Sequence, residues 1–323
     1  MEEKMFGNRT TSESVFHYVF AALIAVTIAI IASHYPAAAQ DAGQRKFKSP
    51  EDAFKALVDA AKDNDTKALL AIFGPDSKDI ISSGDSIADS AALNRFVKAA
   101  GEEVRFAKLD NGAMLPIIGK GECSFPIPIV KSGNEWVFAT EEGKEEILNR
   151  RIGKNELNTI EVVRAIADAQ RDYASKDRDG DGVLQYAEHF LSREGKRDGL
   201  YWEAEPGGEQ SPLGPLVAHA AEEGYPVGKH TGKYTPYHGY YFKMLKGQGS
   251  NAPGGDFDYI INGKMVAGFG VVAYPAEYGV SGIMTFMVNQ LGMVYEKDLG
   301  TRTEEIAKAM TKYDPDKTWK KVK

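Results

Sequence analysis

The feature that constrains this chain most is the apolar run from Val15 to Ala32, interrupted only by His17 and Thr27, because it decides the compartment in which everything after it must fold. A polar stretch, Met1 to Ser14, precedes it, and Pro36 and the small residues Ala37, Ala38 and Ala39 follow. That order is the n-region, h-region and A-x-A site of a secretory signal peptide, with cleavage expected between Ala39 and Gln40. The rival is an uncleaved anchor, since about 18 apolar residues just span a hydrocarbon core of roughly 30 Å. Pro36 and the alanines sit where a protease site belongs and favour removal. The expected location is therefore periplasmic or secreted, with no membrane span after cleavage.

An exported chain would normally lean on disulfides, but Cys123 is the only cysteine, so no intramolecular disulfide can form and the fold must hold by packing. With no histidine near it in sequence, Cys123 reads as a small buried strand residue. The formal net charge of −7 argues against nucleic acid as a partner. The remaining partner is an envelope protein or ligand that the residues do not specify.

Length predicts two domains after a signal peptide (1–39) and a polar linker (40–48). In the first, 49–150, Ser49 and Pro50 open a helix through Phe54, Leu57, Val58 and Ala61. A second helix carries Leu69, Leu70, Ile72 and Phe73, and a third runs from Ser86 to Gly101. Short β-type runs follow at Met114–Ile118, Phe125–Val130 and Glu135–Phe138, with Pro126 and Pro128 confining the middle one to an edge or bulge. The order resembles the cone-shaped domains of the nuclear-transport-factor-2-like type, which often hold a ligand; here Phe125, Trp136 and Phe138 read first as core.

The second domain, 151–313, is predicted to open with a helix from about Asn155 to Ser175 whose apolar face carries Leu157, Ile160, Val163, Ile166 and Ala167. Beyond it, Tyr186–Arg193 reads as a short helix and Pro212–Glu223 as another. Five β-type runs between Tyr237 and Glu296 read as an antiparallel meander, Thr303–Thr311 as a last helix, and 314–323 as a basic, solvated tail. The expected class is α+β throughout.

The most informative stretch is DRDGDGVLQYAE, Asp177 to Glu188. Calcium takes six to eight oxygens at about 2.3–2.6 Å, and the spacing offers Asp177, Asp179, Asp181, the Val183 carbonyl, Gln185 through water and bidentate Glu188, with Gly182 at the sharp turn and Leu184 directed inward. This resembles the EF-hand loop. The bland alternative is an acidic surface turn.

Longer stretches carry a second resemblance: FPIPIVKSGNEWVF (Phe125–Phe138), RRIGKNEL (Arg150–Leu157), RDGLYW (Arg197–Trp202), SPLGPLV (Ser211–Val217), HGYYFKMLKGQG (His238–Gly249) and AYPAEYGVSGIMTFMVNQLGMVYEKDLG (Ala273–Gly300). Together they look like the exported bacterial family known as domain of unknown function 2950. The chain departs from that pattern at Cys123, where tryptophan is expected, and at Ala139, where aspartate is expected. A long helix leading into a Gly-Tyr-Tyr-Phe strand and an Ala-Tyr-Pro turn is also similar to the globular half of type IV pilins and pseudopilins.

Catalytic signals are weak. Among His189, His219, His230 and His238 no pair has metal-ligand spacing, Ser281 lacks the G-x-S-x-G elbow, and GQGSNAPGG (Gly247–Gly255) opens no helix. His230, Tyr234, Tyr237, His238, Tyr240 and Tyr241 form an aromatic and polar group that reads first as packing. The function expected is a calcium-stabilised, non-enzymatic binding or scaffold protein of the cell envelope. The alternatives are a cell-envelope hydrolase working near His230 and His238, or a component associated with secretion or pili.

Overall fold

A computed structural model describes residues 43–121, 123–178, 180–226 and 235–322. The signal segment and Asp179, His230 and Tyr234 lie outside the described residues. Helix α1, Pro50–Lys62, begins where Ser49 Oγ accepts the Asp52 N–H at 3.0 Å, and α2, Thr66–Phe73, begins where Asp65 accepts the Ala68 N–H at 3.0 Å. A single turn, α3 (Lys78–Ile81), leads to α4, Ser86–Glu102, capped by Asp85. These helices lie on an antiparallel sheet of β1 (Val104–Lys108), β2 (Met114–Ile118), β3 (Cys123–Ser124), β4 (Ile129–Ser132) and β5 (Glu135–Phe138), in the order β1-β2-β4-β5 with β3 on β2. Of the expected middle run Phe125–Val130 only Ile129 and Val130 are strand, in β4; Pro126 and Pro128, which lack ladder donors, separate it from β3. Phe54, Phe73, Phe125 and Phe138 meet edge-on or stacked in the core of this unit, so these rings are packing groups. Cys123 departs from expectation: it is exposed on β3.

The next element is a 35-residue helix, α5, Thr140–Ala174. It begins 15 residues before the expected Asn155 start and crosses the expected boundary at 150. Gly143 and Gly153 and the dense charge of 141–154 hide the helical period there. Gly143 is needed because a Cβ would stand 2.6 Å from the Pro126 carbonyl oxygen and the Ile127 side chain. Leu157 is 63 % exposed and so leaves the apolar face, which is carried by Ile152, Val162, Val163, Ile166, Ala167 and Tyr173.

Two separate cores use this helix. Ile147 and Leu148 pack on the N-terminal core, while Ile160, Val162, Val163 and Ile166 belong to the C-terminal one. The C-terminal unit begins with a parallel pair, β6 (His189–Leu191) and β7 (Gly199–Tyr201), and helix α6, Gly214–Glu222. Its main sheet runs β17-β15-β14-β13-β8, all antiparallel: β8 Tyr240–Leu245, β13 Gly270–Pro275, β14 Met284–Asn289, β15 Tyr295–Asp298 and β17 Lys320–Lys321. Smaller pairings join β9 (Gly247–Gln248) to β10 (Phe257–Asp258) and β16 (Lys312–Tyr313), and β11 (Ile260–Ile261) to β12 (Lys264–Met265). Helix α7, Thr303–Ala309, covers β13. The stretch expected as a solvated tail is instead built in: β17 pairs with β15, and Trp319 is 8 % exposed.

Polar side chains of α5 fasten the two units. The Arg151 guanidinium donates to the Asp79 and Ile80 carbonyls at 2.5 and 2.6 Å, satisfying acceptors at the end of α3. One turn on, Asn155 donates to the Ser281 carbonyl at 2.9 Å, and Glu156 Oε1 accepts the Ile283 and Met284 N–H groups, each at 2.9 Å, where β14 begins. Arg151→Ala is expected to cost about 2 kcal/mol, the worth of charge-assisted bonds to half-buried carbonyls. Urea denaturation checks this, and a variant within 0.5 kcal/mol of the parent (roughly the noise of surface changes) contradicts it.

Candidate metal centre at the end of the long helix

Helix α5 ends at Ala174 and the acidic loop begins three residues later, at Asp177, as the sequence predicts. Asp177 organises it: one oxygen accepts the Gly180 N–H at 2.8 Å and the Asp181 N–H at 3.2 Å, the other the Gly182 N–H at 2.8 Å. Gly180 and Gly182 hold φ of 75° and 84°, the left-handed region that a side chain disfavours. Asp181 accepts the Val183 N–H at 3.0 Å.

Both ends of the loop are anchored in the body. At the entrance, the Arg178 guanidinium is 2 % exposed, bonds Glu209 at 2.7 Å, and lies 5.4 Å from the ring centroids of Tyr173 and Trp202. Lys176 and Arg197 reach the same Glu209 at 2.9 and 3.0 Å, and Lys176 together with Arg178 holds its carboxyl below the usual range against the opposing effect of burial. At the exit, Gln170 is fully buried and bonds both backbone groups of Ala187, giving its N–H to the carbonyl at 2.8 Å and accepting the N–H at 2.9 Å. The Tyr186 N–H meets the Met265 carbonyl at 2.8 Å.

Three details differ from the expected EF-hand geometry. The chain leaves the loop extended and enters β6, where the sequence predicts a helix over 186–193, because Gln170 and Met265 take up its backbone groups. Leu184 is 57 % exposed and not directed inward. Asp181 and Glu188 each face a lysine, Lys264 and Lys246, the latter pair at 2.9 Å. Gln185 is half-buried and Val183 lies at the surface. Among the described residues no three His, Cys, Asp or Glu side chains converge on one point; Asp179 lies outside them. The loop's carboxylate, amide and carbonyl groups are hard oxygen donors, the kind that calcium takes.

A second polar group lies where the two units meet. Asp85 is fully buried; it caps α4 and accepts the Tyr225 hydroxyl and the Gly239 N–H, each at 2.9 Å. His238, at φ 50°, places Nε2 3.0 Å from Glu223 and Nδ1 3.4 Å from the Asn158 amide. Both ring nitrogens are thus engaged, with Asn158 donating to Nδ1. The expected aromatic group is dispersed: Tyr237 packs on Tyr225 and His238, Tyr240 on Phe286, and Tyr241 on Tyr274. The Ser281 hydroxyl closes a turn with the Glu277 backbone at 2.9 and 3.1 Å. In the glycine-rich loop, the Asp314 carboxylate takes the Asn251 N–H at 2.8 Å, a group that a phosphate would need.

The family model described as protein of unknown function (DUF2950) matches residues 44–322. The chain belongs to this family. No curated protein and no solved structure matches it, so the likeness to pilins rests on sequence alone. Within the family's span, the loop and the junction are two sites of different chemistry on one helix, at its C-terminal end and near its middle.

Burial, opposed by Glu223, holds the proton affinity of His238 below its ordinary value of 6.5; Lys154 and His219 act with burial, and Asp85 with Glu223. Below that value the unfolded chain takes up a proton that the native ring does not, so the stability present above pH 6.5 is lost as pH falls through the window beneath it. Denaturation midpoints should therefore fall more steeply on acidification for the parent than for His238→Asn. Parallel curves contradict the assignment.

Proposed function

We propose that this DUF2950 protein is an exported, calcium-stabilised binding or scaffold protein of the cell envelope, working without catalysis. The observation that carries the reading is the loop at the end of α5: its first carboxylate already gathers three loop N–H groups, and both ends are rooted in the C-terminal core. Asp177, Asp179, Asp181, the Val183 carbonyl, Gln185 and Glu188 would hold the ion, which would supply the positive charge that four carboxylates within twelve residues lack. Such a loop acts as a structural clip on the helix that both cores share. Engagement of both His238 nitrogens and of the Ser281 hydroxyl in local bonds supports the non-enzymatic side of the reading. The filament alternative is not favoured, because the N-terminal half of α5 is occupied by Arg151 and Ile147 contacts to the first unit. No described helix is long and apolar enough to cross a membrane.

A ligand that prefers the native state stabilises it by RT ln(1 + [L]/Kd). Extracellular calcium modules bind at about 10⁻⁴ to 10⁻³ M, so millimolar calcium should add on the order of 1.4 kcal/mol at the tighter end, a rise of a few degrees in Tm. Chelation should reverse the rise, magnesium should give much less, and Glu188→Gln should reduce it. An unchanged Tm from 0 to several millimolar calcium (tens of times the tighter Kd of about 10⁻⁴ M) contradicts the proposal.

A further inference from the structure

We infer that Lys246 and Lys264 are built-in competitors for the loop's cation, an inference that rests on the calcium reading above. Asp181 and Glu188 are the fifth and twelfth residues of the loop, the last two of its four carboxylates in chain order. Each already faces an ammonium group: Asp181 that of Lys264, Glu188 that of Lys246 at 2.9 Å. The two lysines together supply two positive charges, the same as one divalent cation. They also present N–H donors to the oxygens that a cation would need as bare lone pairs. A carboxylate oxygen bonded to an ammonium proton has that lone pair in use, and the ammonium charge repels an incoming cation, so lysine and metal compete for the loop.

Neither lysine arrives by chance of a floppy surface chain. Lys264 follows a tight turn in which Asn262 and Gly263 hold φ of 51° and 81°, the pattern of a two-residue hairpin that fixes the register of β11 and β12. The neighbouring Met265 carbonyl bonds the loop's own Tyr186 N–H, so β12 and the loop are in register with each other. Lys246 sits just after β8, with its N–H bonded to the Thr311 carbonyl at 3.1 Å and its carbonyl to the Tyr259 N–H at 2.9 Å. Both stems therefore leave paired backbone, and both aim at the loop.

The pairs are also weak enough to be displaced. Lys264 and Asp181 side chains are 29 % and 34 % exposed, Lys246 and Glu188 54 % and 27 %, which places both in the solvent-screened class. The result is a loop held in shape without metal by two internal cations and converted to a metal-bound form when the two ammonium groups withdraw. Calcium binding then releases the two ammonium groups from the loop while the Tyr186–Met265 backbone bond keeps β12 against it, and the lysines lower the affinity of the clip for its ion.

Isothermal titration of the purified protein with calcium chloride, for the parent, Lys246→Met, Lys264→Met and the charge-preserving Lys264→Arg, tests this. The account expects each Met variant to bind roughly two- to five-fold more tightly, the range of an exposed ion pair, and the Arg variant to bind as the parent does. Binding by the Met variants alone, with none by the parent, supports the same conclusion in stronger form. Calcium binding that is unchanged or weakened in the Met variants overturns the competition while leaving the calcium loop standing. No binding by any of the four proteins removes the calcium reading itself, and the competition with it.

Discussion

Everything in this molecule hangs on the continuity of one helix. Thr140–Ala174 carries side chains of two otherwise separate hydrophobic cores, Ile147 and Leu148 for one and Val162 to Tyr173 for the other. A helix of this length is stable in water only when its faces are packed, and each core packs only part of it. The seam between them is bridged by polar groups: Arg151 bonds carbonyls of α3, and Asn155 and Glu156 bond the backbone at 281–284. Asp85, fully buried beneath Tyr225 and Gly239, adds a fastening from the N-terminal side. With these groups left unpaired each would cost its desolvation, so satisfaction of polar groups favours this one arrangement of the two units.

The same helix delivers the acidic loop to a defined place. Arg178 and Gln170 hold its entrance and exit, and Lys246 and Lys264 hold its carboxylates. The loop therefore sits between a rigid frame and a pair of displaceable charges. On the proposed reading, that combination would serve as an ion-dependent clip in an exported protein whose single cysteine denies it an intramolecular disulfide.

Much of this was legible in the sequence where local chemistry decides. Ser49-Pro50 marks a helix start that the structure shows, the helices through Leu69 and from Ser86 stand where they are expected, and the antiparallel strands of the C-terminal sheet follow β-type runs between clear turns. The first half of the long helix was hidden because 141–154 is charged, contains two glycines and has its apolar contacts at only a few positions. The end of the chain misled in the opposite direction: lysines around Trp319 read as a solvated tail, yet Trp319 is buried and the strand beyond it pairs with β15. At the candidate site the carboxylates and glycines of the loop were readable from spacing. Lys246, Lys264, Glu209 and Trp202 were not, because partners in the loop 24 to 83 residues away leave no local pattern, and the helix expected at 186–193 was overridden by backbone pairing with Gln170 and Met265.

Amide hydrogen exchange across α5 tests the central claim most directly, because exchange reports the opening of each helical hydrogen bond in turn. A single helix shared by two cores predicts unbroken slow exchange from Ile147 to Tyr173, including the Arg150–Asn155 segment between the cores. Rapid exchange confined to Arg150–Asn155, with protection on either side, would show two helices joined by a flexible link and would contradict the account.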